Sequence, residues 1–168
     1  MGHESLTYGA IELHRSIDDH DRYLREASDV IAQLPVDRDS DEWPFLTQQY
    51  FSVGAGYYRS NVLLFGGSCK RVECVWDEWL AKFEDVISKL CWSNCWLHLR
   101  TEIALNFDFR YTGEGTYIGE PGKGNWIPPA KWNFTGGPRC NSSNDIWYDE
   151  SQTDASWIRI DGEWTLDS

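Results

Sequence analysis

The sequence predicts an α+β fold: an antiparallel or mixed β-sheet packed against two α-helices, with a loop-rich C-terminal β extension. Three observations carry that expectation. Two stretches keep helical spacing of apolar residues, several shorter ones alternate apolar with polar residues, and their order along the chain is β-α-β-β-α-β-β. At 168 residues the chain is long enough to bury a proper core without disulfide staples.

Leu6 to Leu13 alternates as a first strand. Ser16 is placed to cap a helix with Asp19 in its first turn, and Leu24, Ala27, Val30, Ile31 and Leu34 then hold helical spacing until Pro35 stops it. DRDSDE, residues 37–42, reads as an exposed acidic loop. The runs 47–53 and 57–65 read as a hairpin joined across Gly54-Ala55-Gly56 and ended by Gly66-Gly67. The second helix is the clearest element: Trp76, Trp79, Leu80, Phe83, Val86, Ile87 and Leu90 form one stripe. Asp77, Glu78, Lys82, Glu84, Asp85 and Lys89 occupy the remainder.

Strands follow at 96–102 and 104–111. In the second, Leu105, Phe107, Phe109 and Tyr111 face one way while Asn106, Asp108 and Arg110 face the other, the pattern of a sheet buried on one side. Residues 1–112 thus make the α+β core. The segment 113–130 reads as a long loop, with five glycines and three prolines between positions 113 and 129. Residues 131–168 either extend the main sheet or form a small β lobe, with Asp161-Gly162 as a two-residue hairpin turn.

The stretch CWSNCWLHLR, residues 91–100, raises metal or redox chemistry and does not support it. Three residues separate Cys91 from Cys95 where a redox pair has two, and Cys69, Cys74, Cys91 and Cys95 depart from zinc-knuckle spacing. Cys91 is expected to close the helix, Cys95 to open a strand, and Ser93-Asn94 to turn between them. Gly119 to Gly124 fails the phosphate-loop pattern at Tyr117 and Gly124. Cys69, beside Lys70 and Arg71, is the best nucleophile the chain offers, through a lowered pKa, with His98 as its conceivable base. Glu102 and Asp108 are a carboxylate pair on neighbouring strands that nothing singles out. No catalytic residue, metal ligand or cofactor is assigned.

Charge and aromatic content say more. Residues 1–42 carry eleven acids and four bases, residues 141–168 seven and one, and the middle is nearly neutral, for a net charge of −12. Such a chain repels nucleic acid and anionic membrane and suits a basic protein partner. Ten Trp, eight Tyr and seven Phe exceed what one small core needs, so some rings are expected at the surface as anchors. Acids meet aromatics twice: at Asp37, Asp39, Asp41, Glu42 and Trp43, and at Asp145, Trp147, Tyr148, Asp149, Glu150 and Asp154. These are the expected partner-binding residues of a cytoplasmic inhibitor or immunity-type protein that neutralises a toxin. A nucleic-acid mimic is a variant of that reading. The competing expectation is a small enzyme or ligand-binding domain, its pocket under the 113–130 loop and lined by Trp126 and Trp132. The odd cysteine count and the lack of a leader-like opening fit reduced thiols in the cytosol.

Overall fold

The computed structural model describes residues 3–16, 18–54, 60–102, 105–120, 124–139 and 155–167. Ten strands follow in chain order: β1 (Glu4–Leu13), β2 (Phe51–Gly54), β3 (Asn61–Lys70), β4 (Trp92–Thr101), β5 (Phe107–Gly113), β6 (Thr116–Ile118), β7 (Asn125–Ile127), β8 (Lys131–Thr135), β9 (Ser156–Ile160) and β10 (Glu163–Leu166). Eight of them form one antiparallel sheet in the order β10-β9-β8-β5-β4-β1-β3-β2, and β6 and β7 pair separately. Two helices, α1 (Arg22–Ile31) and α2 (Trp76–Ile87), cover one face of the sheet. The α+β architecture expected from the sequence is the one observed.

Period-two alternation decides which side chains meet the helices. Ser5, Thr7, Ile11 and Leu13 of β1 are buried, as are Leu63 and Phe65 of β3, Leu97 and Leu99 of β4, and Phe107, Phe109 and Tyr111 of β5. Against them lies α2, whose apolar stripe is buried along its whole length. Trp76 and Trp79 stack with ring centroids 5.2 Å apart, Phe83 stacks on Trp79, and Trp76 reaches Phe109 of β5. On the opposite pleat of the sheet Leu6, Tyr8, Leu64 and Trp96 are exposed.

Several boundaries differ from the sequence reading, each for a local reason. Helix α1 begins only at Arg22, because Ser16 accepts a hydrogen bond from the Asp19 N–H (3.4 Å) in a turn that precedes it. Residues 48–50 form a 3-10 turn, so β2 is shorter than expected, although it does pair with β3 as a hairpin. Gly66-Gly67 lies inside β3 rather than ending it: a side chain at Gly67 would collide with the Tyr50 ring packed over it.

Ser93-Asn94 is not a turn but part of β4. A register shift opposite Glu12 and Leu13 makes a bulge there, which is how Trp92 and Cys95 both reach the core. The 113–130 segment contains the β6–β7 hairpin instead of a structureless loop. The described strands that follow residue 130, β8, β9 and β10, extend the main sheet. The last hairpin turns on Asp161 and Gly162, at φ 52° and 87°, the left-handed pair that such a two-residue turn requires.

Candidate functional site

The loop ending in Trp43 is built by its own acids. Asp37 caps the short 3-10 turn Arg38–Ser40, accepting from the N–H groups of Asp39 (3.1 Å) and Ser40 (3.2 Å), while the Ser40 hydroxyl accepts from the Asp37 N–H. Asp41 accepts from the Leu46 N–H and from Lys82 Nζ of α2, both at 2.8 Å. Burial disfavours its charge, but those donors outweigh the cost and hold its carboxyl below the usual range. Asp37 and Asp41 are therefore occupied in shaping the loop. Asp39, Glu42 and Trp43 are the members it presents to solvent, with Trp43 set edge-on against Phe45 at 5.5 Å.

Further exposed acids sit on the same helical layer, among them Asp21, Glu26 and Asp29 on or beside α1 and Asp77, Glu78 and Asp85 on α2. Part of that charge is answered locally: Arg22 pairs with Glu26, Arg25 with Asp19, and Lys89 with Asp85. The other six expected partner-binding residues, Asp145, Trp147, Tyr148, Asp149, Glu150 and Asp154, lie outside the described residues. The described acids nearest to them in sequence, Asp161 and Glu163, belong to the β9–β10 hairpin at the sheet edge opposite β2.

One buried group escaped the sequence reading. Glu84 of α2 is only 6% exposed and faces the sheet, not solvent. Its carboxylate pairs with Arg139 (2.6 Å) and accepts from Tyr111 Oη (2.8 Å) and Trp164 Nε1 (3.0 Å). The Arg139 guanidinium in turn lies 3.7 Å from the Trp164 ring centroid and 4.9 Å from that of Phe134. This cluster ties the C-terminal strands to α2. The signal was present in the sequence: Glu84 is four residues after Leu80 and three before Ile87, hence on their stripe.

The thiol and histidine singled out by the sequence, Cys69 and His98, are kept apart. Cys69 faces the helices, where burial raises its pKa rather than lowering it, and Tyr50 Oη sits 2.6 Å from its sulfur. His98 is on the opposite face of the sheet, stacked on Tyr8 (5.0 Å) and 2.7 Å from Asp108, so it cannot serve Cys69 as a base. The hydrogen bond from His98 and the nearby Arg100 lower the Asp108 pKa against the cost of burial. Glu102 turns instead to the Glu4 N–H and His3. Burial pushes the Cys91 thiol up to about 11 and raises Cys95 as well, the behaviour of packed thiols. Among the described residues no three His, Cys, Asp or Glu side chains gather as a metal site.

Trp126 and Trp132 sit in different surroundings. Trp132 is core, packed edge-on against Trp92 at 5.4 Å. Trp126 lies flat on His14 (4.1 Å, 0°), and its backbone N–H donates to Tyr23 Oη (2.7 Å), docking the β6–β7 hairpin onto α1. Burial there lowers the His14 pKa, partly offset by Glu12.

A cleft of about 420 Å³ does exist, at the end of β3 beside the acidic loop, and Arg38, Trp43, Phe45, Cys69 and Lys70 contribute to its walls. No helix of the described residues is long and apolar enough to cross a membrane. No family model matches the sequence, and no curated protein or solved structure is significantly similar to it.

Proposed function

We propose that this chain is an inhibitor of the immunity type, which binds a basic protein partner such as a toxin and blocks it by occupying its cationic surface. The observation that carries the reading is the division of labour within the loop at 37–43. Two of its acids are spent on holding the loop rigid, and the remaining two stand beside an exposed tryptophan. A preformed aromatic anchor flanked by free carboxylates loses little entropy on docking, while the acids of the adjoining helical layer steer a cationic partner towards it. The four described cysteines are unpaired, which agrees with a reducing, cytoplasmic setting.

Co-expression with the product of the adjacent gene tests the reading directly. The chain should protect cells from that product, and the purified pair should associate faster at low salt than at high salt. Reversing Asp39 and Glu42 to Lys should slow association about tenfold or more and flatten its salt dependence without altering the melting curve. Equal on-rates for variant and parent would remove this loop from the interface. The same reversal at Asp145, Asp149 and Glu150 tests whether the second acidic stretch takes part.

A further inference from the structure

The cleft at the end of β3 has a chemistry of its own, separate from the acidic layer beside it. Arg38 and Lys70 both contribute to its wall, and neither is held in an ion pair with another described residue. The Arg38 guanidinium lies 5.1 Å from the Phe45 ring centroid, and Phe45 and Cys69 line the same cleft. Trp43 and Phe45 meet edge to face and give the cleft an aromatic wall.

The volume, about 420 Å³, lies within the range of sites for small organic molecules, which typically combine an apolar body with a few placed polar groups. Charge narrows the class. Glu4 also borders the cleft and stands opposite Lys70 in the β1–β3 register. His3 lines the cleft too, 3.6 Å from Glu102, so the cations proper to the cleft are Arg38 and Lys70; with Glu4 beside them they suit a single negative charge better than a dianionic phosphate. An aromatic body is favoured because the wall offers ring faces and edges.

We propose that this cleft binds a small aromatic monocarboxylate, its carboxylate set between Arg38 and Lys70 and its ring against Trp43 and Phe45. The site does not depend on the docking role of the helical layer, since the groups that would hold its ligand, Arg38 and Lys70, are not the carboxylates assigned to docking. Occupancy would nonetheless be felt at Trp43, which both surfaces share.

Calorimetric titration of the full chain with 1-naphthylacetate, 1-naphthylacetamide and inorganic phosphate separates the contributions. The acid should bind at least tenfold more tightly than its neutral amide and at least tenfold more tightly than phosphate. Arg38→Met and Lys70→Met should each weaken the acid at least fivefold while leaving the amide unchanged, and Trp43→Ala should weaken both. Arg38 and Lys70 are exposed, so these variants should keep the parent's melting curve. Equal affinity for acid and amide, tighter binding of phosphate, or no binding of the acid at millimolar concentration would each overturn the proposal. None of these results touches the association test described for the acidic loop, so the two readings fail separately.

Discussion

The two helices lie on the same face of the same sheet and do opposite things. Helix α2 buries Trp76, Trp79, Leu80, Phe83, Glu84, Val86 and Ile87, whereas α1 buries only Tyr23 and Ala27. The difference follows from position. Helix α2 packs across the middle of the sheet, reaching from Phe65 of β3 through Tyr111 of β5 to Trp164 of β10. Helix α1 packs near the β2–β3 margin, and Arg25, Glu26, Ser28 and Asp29 on it are exposed. Stability is therefore concentrated in one helix, and the other, with the loop that follows it, is free to carry charge. That separation lets an acidic surface be tuned without disturbing the core.

The largest test of this division is Trp79→Ala. Trp79 is fully buried between Trp76 and Phe83, and its removal should cost about 3–5 kcal/mol in urea unfolding. A loss below about 1 kcal/mol would mean that α2 is not the keystone. Next comes Glu84→Gln, which keeps an acceptor for Tyr111 and Trp164 but leaves the Arg139 charge without its counter-ion. A loss of about 3 kcal/mol is expected, since removing one partner strands a largely buried cation. The exposed neighbour Glu78→Gln should change stability by less than about 0.5 kcal/mol, and equal effects at the two sites would erase the contrast.

What the sequence made legible follows the same line. Helix α2 and β5 were readable because their periodicity is long and uninterrupted, and the Asp161-Gly162 turn because its chemistry is local. Glu84 was misassigned to solvent because its partners, Tyr111, Arg139 and Trp164, come from 27, 55 and 80 residues later. The bulge at Ser93 hid β4's first residues, since one extra residue reverses the alternation that identifies a strand. In the candidate site, composition picked out the acidic loop but could not divide it. Asp37, Asp39, Asp41 and Glu42 look alike in sequence, and only the capping bonds and the reach to Lys82 distinguish the acids that build the loop from those it displays.

Asp41 marks the boundary between the two regions, because it joins the acidic loop to α2 through Lys82. Asp41→Asn should cost about 1 kcal/mol at neutral pH, the usual worth of a partly buried charged contact. Its pH signature is more specific. A carboxyl whose pKa is lower folded than unfolded adds stability that is complete above the unfolded value, about 3.9, and is lost as pH falls through the folded one. Denaturant melts between pH 7 and pH 2 should show the parent losing its advantage over the variant only in the acid range. A constant gap across that range would show that packing, not charge, joins the loop to the helix.

The smallest expected effect tests the idea most sharply. Asp29 sits in the last turn of α1, where the partial negative charge of the helix terminus opposes it, and no basic residue occupies that turn. Arg25, one turn earlier, offsets part of this repulsion. The two influences oppose each other at an exposed position, so Asp29→Asn should move stability by less than about 0.5 kcal/mol, while raising salt from low to high should narrow even that difference. A result within that bound would show that the acids of α1 add little to the fold. If the substitution instead costs more than about 1 kcal/mol, the acids of α1 belong to the architecture as α2's tryptophans do, and the separation between a stabilising helix and a charge-bearing one disappears.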